Sequence, residues 1–88
     1  MGNPTFPMVI TLDKPVKLTD DAMISKLELR EPLAGDYRTI KQAGDMLNSA
    51  LDLVAEIADV PVAVIDKLSY TDTRKVVEAV HPFLFWFN

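Results

Sequence analysis

The stretch from Leu27 to Arg38 divides the sequence into two parts with different hydrophobic periods. Before Pro32, apolar residues alternate with polar ones, as in a β-strand; after it, they recur every three or four residues, as in an α-helix. Pro32 lacks a backbone donor and is favoured in the first turn of a helix. This division predicts an α+β fold, in which an N-terminal two-stranded β-hairpin is followed by a small bundle of three or four helices.

The length of 88 residues predicts one domain over 1–88, with a loose lead-in at 1–7, a hairpin at 8–31 and a helical body at 33–87. A chain this short has a thin core, yet 49% of its residues are apolar. We therefore expect some apolar surface to remain for a partner or for self-association.

Two alternating segments form the predicted hairpin. Residues 8–12 make the first strand, which Asp13-Lys14-Pro15 is expected to end, because Pro15 cannot donate to a ladder. The second strand runs from about residue 24 to 29, which leaves a long connection containing the turn signal Thr19-Asp20-Asp21. The residues expected to face the core are Met8, Ile10, Leu12, Leu27 and Leu29.

The first helix is expected from Leu33 or Ala34 to about Ala43, with Asp36 near its positive end. Gly44 either ends that helix or lies inside one longer helix. The second helix is predicted over residues 45–59, where apolar residues recur at helical spacing. They are Leu47, Ala50, Leu51, Val54, Ile57 and Ala58.

The remaining sequence predicts a short helical turn and a last helix. Val60-Pro61 is expected to end the second helix and to open a turn through Lys67. Ser69-Tyr70-Thr71-Asp72 matches the capping box, in which Ser69 accepts the amide of Asp72 and Asp72 reaches back to the first residue of the box. Pro82 is expected to kink or end the last helix near Val80.

Composition disfavours several classes of function. The net charge is −4 and the chain contains no cysteine, which disfavours nucleic-acid binding, disulfides and thiolate metal sites. His81 is the only histidine, and no nucleophile, phosphate loop or metal-ligand cluster is recognisable. No apolar run is long enough to span a membrane, and no signal peptide is recognisable. We expect no catalysis, cofactor or metal.

Five consecutive large apolar residues, Phe83-Leu84-Phe85-Trp86-Phe87, lie near the C-terminus and cover every side of a helix. They either complete the core or bind a partner, and aromatic anchors often carry binding energy. The residues predicted to bind a partner are Leu47, Leu51, Val54, Phe83, Leu84, Phe85, Trp86 and Phe87.

The run Leu27-Glu28-Leu29-Arg30-Glu31-Pro32, followed by Gly35-Asp36-Tyr37-Arg38, resembles the signature of the Mu-like phage tail assembly chaperone family. Residues 10–15 and the turn Ile57-Ala58-Asp59-Val60-Pro61 extend the resemblance over about residues 8–85. One departure is Leu33, where the family often has a Thr that caps the helix. The motif residues interpreted as structural are Leu29, Arg30, Glu31, Pro32, Gly35 and Asp36. In this interpretation Gly35 allows close backbone packing and Asp36 serves the helix start.

The resemblance implies a non-enzymatic chaperone that binds the tape measure protein and keeps it soluble while the tail tube assembles. It also implies action in the host bacterial cytoplasm, a possible homo-oligomer and, in many members, a longer frameshifted form. The alternative from the residues alone is a small protein–protein interaction or adaptor domain from an unrelated system.

Overall fold

The computed structural model describes residues 5–39 and 46–84, which form a two-stranded antiparallel sheet followed by four helices. The elements are β1 (Met8–Thr19), β2 (Ala22–Leu29), α1 (Ala34–Thr39), α2 (Met46–Ala58), α3 (Val62–Ile65) and α4 (Tyr70–Leu84). The predicted α+β arrangement of a hairpin followed by helices is confirmed.

The hairpin is longer and its turn is tighter than the sequence predicted. Thr19 pairs with Ala22, so that only Asp20 and Asp21 connect the two strands. The turn signal was therefore placed correctly, but the long connection was wrong, because β1 continues for several residues beyond the expected end.

Pro15 does not end β1, and its position in the ladder explains why. Thr11 pairs with Lys26 and Val16 pairs with Ile24, so residues 12–15 lie opposite one residue of β2. Proline is tolerated in edge strands and bulges, where no ladder hydrogen bond is required of its nitrogen. The predicted end of β1 at Pro15 was wrong because the register shift around Pro15 could not be inferred from the residues of one strand.

A single apolar cluster joins the hairpin to the helices. The predicted inner faces of both strands are confirmed, and Met8 packs at the edge of the core as a half-buried residue. Helix α2 packs against β2, α3 and α4, and α4 also packs against β1. The buried apolar residues are Ile10, Leu12, Val16, Leu27, Leu29, Ala50, Leu53, Val54, Ala55, Ile57, Val64, Ile65, Val76, Val80 and Leu84.

Helix α2 ends as its sequence predicts, just before Pro61. The amide of Val60 donates to the carbonyl of Ala55 at 3.1 Å, and the amide of Asp59 donates to the carbonyl of Glu56 at 3.3 Å. This is the hydrogen-bond pattern of a Schellman motif, which requires a left-handed residue after the helix. Asp59 supplies it with a φ of 56°. The two alternatives for Gly44 lie outside the described residues.

Helix α4 confirms half of the predicted capping box. The hydroxyl oxygen of Ser69 accepts the amide of Asp72 at 3.2 Å, whereas the Asp72 carboxylate points to the hairpin. Pro82 lies inside the helix, which continues to Leu84. Pro82 therefore does not end the helix near Val80, which was one of the two expected outcomes.

Candidate partner-binding surface

The motif after β2 forms a polar junction between β2, α1 and α2. The Asp36 carboxylate accepts the amide of Leu33 at 2.7 Å, which satisfies a free donor at the start of α1. The Arg30 guanidinium donates to both oxygens of that carboxylate, at 2.7 and 2.9 Å. The backbone amide of Arg30 donates to the carbonyl of Ile57 at 3.0 Å. The end of β2 is thereby fixed to the start of α1 and to the last turn of α2.

The electrostatics of this junction favour the charged form of both partners. The hydrogen bond from Arg30 lowers the pKa of Asp36 below its ordinary value, and the Leu33 amide lowers it further, against the opposing effect of burial. The hydrogen bond to Asp36 raises the pKa of Arg30, as do the charges of Glu56 and Asp59. Asp36 is therefore held as a carboxylate that accepts the Leu33 amide, which is the half of a capping box that a side chain at position 33 does not supply.

The other motif residues have different surroundings. Leu29 is fully buried in the core, Pro32 is half-buried and Glu31 is exposed. Among the described residues, no atom lies within 4 Å of the position that a Cβ atom would take on Gly35. The close backbone packing expected at Gly35 is therefore absent from this part of the structure.

A second polar junction connects α4 to the hairpin, and the sequence did not predict it. Asp72 is fully buried, and its carboxylate accepts the amides of Asp13 at 2.8 Å and Lys14 at 3.1 Å. The ammonium group of Lys75 lies 2.7 Å from the Asp13 carboxylate and donates to the carbonyl of Thr11 at 3.0 Å. These contacts hold the irregular part of β1 against the first turns of α4.

Burial by itself raises the pKa of Asp72, but the interactions around the carboxylate outweigh that effect. The amides of Asp13 and Lys14, the Ser69 side chain and the Lys75 charge together hold this pKa below its ordinary value. Asp72 is therefore a charged, buried structural residue.

An apolar recess on the described surface, here called the α2–α4 groove, has a volume of about 370 Å³. Leu47 and Tyr70 contribute exposed apolar surface, with 53% and 75% of each residue accessible. Val77 is half-buried at the groove, and Arg74 and Glu78 form a polar rim. The groove is lined by Leu47, Tyr70, Thr73, Arg74, Val77 and Glu78.

The predicted partner-binding residues fall into three groups. Leu47 lines the groove, and Leu51 is half-buried on the same helix. Val54 and Leu84 are core residues, with 0% and 1% exposure. Phe83 lies in α4, whereas Phe85, Trp86 and Phe87 lie outside the described residues.

The groove residues on α4 were missed, although their spacing carries a signal. Tyr70, Arg74, Val77 and Glu78 stand at i, i+4, i+7 and i+8, which places them on one side of a helix. The apolar pattern of this helix does not include Arg74 and Glu78, and Tyr70 was considered only as part of the capping box.

Within residues 5–39 and 46–84, no cluster of three or more His, Cys, Asp or Glu residues is placed to hold a metal ion. His81 is exposed. Every buried side-chain nitrogen or oxygen atom in the same ranges has a hydrogen-bond partner. None of the helices described there has the length and apolar composition required to cross a membrane.

The family whose model matches this chain is described as phage tail assembly chaperone proteins, E, or 41 or 14, and the match covers residues 9–84. The matched residues include both polar junctions and the α2–α4 groove. No curated protein and no solved structure matches the chain.

Proposed function

The chain belongs to the phage tail assembly chaperone family, and from this premise we propose that it binds the tape measure protein and keeps it soluble during tail tube assembly. Because the family model matches residues 9–84, we do not propose the alternative function of an adaptor domain from an unrelated system. We further propose that the role is non-enzymatic and is carried out in the host cytoplasm by a single domain over residues 1–88.

The observation that carries this proposal, beside the family, is the α2–α4 groove. Chaperones of this kind must cover apolar helical surface on a client, and a groove between two helices can accept the apolar face of a third helix. Leu47 and Tyr70 supply exposed apolar area, while Arg74 and Glu78 supply a rim that can pair with charged residues beside that face. The aromatic residues Phe83, Phe85, Trp86 and Phe87 remain proposed contributors.

The two polar junctions support the proposal by holding the groove in shape. The backbone amide of Arg30 fixes the last turn of α2 to the end of β2, and Asp72 fixes α4 to β1. Because both walls of the groove are attached to the same hairpin, the groove is preorganised, which lowers the entropic cost of binding. The motif residues therefore act on the client indirectly, through the position of the helices.

Co-expression with the tape measure protein of the same phage or prophage tests the function. We expect the chain to raise the soluble fraction of the tape measure protein and to co-purify with it. If the soluble fraction is unchanged and the two proteins do not co-purify, the chaperone proposal is wrong.

The position of the binding site is tested separately by single variants. Leu47→Asp and Tyr70→Asp should each reduce co-purification, because they put charge on the apolar wall of the groove. Val62→Asp is the matched control, since Val62 is 52% exposed but lies on α3 outside the groove. If all three variants bind like the wild type, the function stands but the client binds elsewhere.

A longer, frameshifted form of the chain is part of the proposal. Intact-mass measurement of the products expressed from the native gene region should detect it as a second species that shares the N-terminal residues. If the 88-residue chain is the single product, the proposal of a frameshifted form is wrong.

A further inference from the structure

Helix α4 carries an exposed row formed by Tyr70, Arg74 and Glu78, here called the α4 ridge. The Arg74 guanidinium lies 5.8 Å from the centre of the Tyr70 ring and 3.3 Å from the Glu78 carboxylate. These contacts align three large side chains along two turns of helix.

The surface around the α4 ridge can accept a ridge of the same kind. The α2–α4 groove follows one side of it, with Leu47 and Val77 in its wall. A smaller hollow of about 190 Å³, which includes Thr71 and Lys75, follows the other side. Helices pack when the i, i+4 ridges of one enter the grooves of the other, and the commonest arrangement uses such ridges on both helices.

The charge order along the ridge specifies which helix fits. From the N-terminal to the C-terminal end it reads aromatic, positive, negative. A second α4 in parallel orientation would place Arg74 against Arg74 and Glu78 against Glu78. A second α4 in antiparallel orientation places Arg74 of each copy against Glu78 of the other, and the twofold axis forms this pair twice.

From this complementarity in shape and charge, we propose that the α2–α4 groove is the interface of a symmetric homodimer. The α4 ridge of each copy fills the groove of the other, with Leu47 and Val77 covered and two intermolecular Arg74–Glu78 pairs at the rim. The proposal goes beyond the chaperone function and does not depend on it, because it concerns the purified chain alone.

The expected dimer is weak and reversible. The patch contains only a few apolar side chains, and interfaces at the small end of the size range are typical of transient contacts. A reversible contact also leaves the groove available to the client helix proposed above.

Sedimentation equilibrium of the full chain at several concentrations measures the association. We expect a monomer–dimer equilibrium. In a dimer of the Arg74→Glu variant, the new Glu at position 74 of each copy lies against Glu78 of the other copy. In a dimer of the Glu78→Arg variant, the new Arg at position 78 of each copy lies against Arg74 of the other copy. Each single variant should weaken the dimer by about tenfold or more, because two attractions become two repulsions.

Mixing the two single variants separates the interface from effects within one helix. Arg74→Glu and Glu78→Arg also turn the attractive i, i+4 pair inside α4 into a like-charge pair, so their monomers change as well. Only across the proposed interface does the mixture restore attraction, since the negative ridge of one variant meets the positive ridge of the other. A heterodimer tighter than either homodimer is therefore expected.

The matched control is the exposed pair Lys26 and Glu28, whose charged groups lie 4.0 Å apart on the hairpin. Lys26→Glu and Glu28→Lys should leave the association constant unchanged. Circular dichroism should show that all four variants are folded, since the side chains of Arg74 and Glu78 are 62% and 69% exposed. A wild-type chain that stays monomeric at every concentration overturns the proposal. So does a mixture of single variants that associates no better than its components.

Discussion

Replacing Asp72 by asparagine tests whether the junction between α4 and the hairpin contributes to folding. Asparagine has nearly the same shape but only one acceptor oxygen, so it cannot accept both the Asp13 and Lys14 amides. Its NH₂ group would instead face one of these donors. The variant also removes the negative charge that lies 3.7 Å from the Lys75 ammonium group.

The hydrogen bonds at Asp72 set the expected magnitude. A hydrogen bond to a charged group contributes roughly 1.5–3 kcal/mol, and a buried donor left without a partner costs about 1–3 kcal/mol. Because Asp72 is fully buried and loses one of two such contacts, we expect Asp72→Asn to lower the free energy of unfolding by about 2–4 kcal/mol. A domain of this size is stabilised by roughly 4–13 kcal/mol in total, so the loss is large.

Urea unfolding at several pH values provides the assay. The pKa of Asp72 lies below its ordinary value of 3.8 in the folded chain, so the unfolded chain binds more protons between the two values. The contribution of Asp72 is therefore complete above the ordinary value and is lost as the pH falls through the folded pKa. The difference between wild type and Asp72→Asn should be greatest near neutral pH and should shrink in acid.

The matched control is Asp52→Asn, which removes the same charge from an exposed position on α2. It should change the free energy of unfolding by no more than about 0.5 kcal/mol. A loss below about 1 kcal/mol for Asp72→Asn would refute the reasoning. A difference from wild type that does not change with pH would refute the assignment to a charged carboxylate.

Three further substitutions test other parts of the fold by urea unfolding. Asp36→Ala should lower the free energy of unfolding by about 1–2 kcal/mol because it removes the acceptor at the start of α1, whereas Glu31→Ala should change it by less than about 0.5 kcal/mol. Asp59→Gly should raise it by about 0.5–1 kcal/mol because the φ of 56° suits glycine; an effect of the same size for Asp59→Ala would refute this reason. Leu53→Ala should lower it by about 2–5 kcal/mol, and Leu47→Ala, at the exposed groove, by less than about 0.5 kcal/mol.

The parts of the fold that the sequence predicted well depend on near neighbours in the chain. Alternation in residues 8–12 identified the buried face of β1, and the Val60-Pro61 step identified the end of α2. The extent of β1 was not predictable in this way. Pro15 is acceptable there only because residues 12–15 lie opposite one residue of β2, which is a property of the pairing between the strands.

The polar junctions and the exposed groove were less predictable from the sequence than the fold, for the same reason. Asp72 was recognised as a capping residue of α4, but its carboxylate acts on the amide of Asp13, 59 positions earlier. Val54 and Leu47 share one apolar pattern on α2, yet only Val54 is covered by the core. Which member of an apolar stripe remains open depends on the elements that pack across it, and sequence spacing does not specify them.

The Asp72 junction also bears on how the hairpin avoids pairing with other strands. A two-stranded sheet exposes unpaired backbone groups along its edges, and such edges can recruit strands from other molecules. In the irregular part of β1 several of these groups are already engaged, because Lys75 binds the carbonyl of Thr11 and Asp72 binds two amides, while Pro15 has no amide. This segment therefore offers fewer free backbone donors to another strand.

This interpretation predicts that Asp72→Asn promotes β-rich aggregation, since it releases one of the two backbone amides that Asp72 binds at the β1 edge. Thioflavin T fluorescence should rise under conditions in which circular dichroism still shows a folded chain. The control is Leu53→Ala, which is expected to be at least as destabilising but leaves the Asp72 contacts intact. If both variants aggregate to the same extent, global unfolding explains the effect. If only Asp72→Asn aggregates, the buried carboxylate protects the strand edge as well as joining α4 to the hairpin.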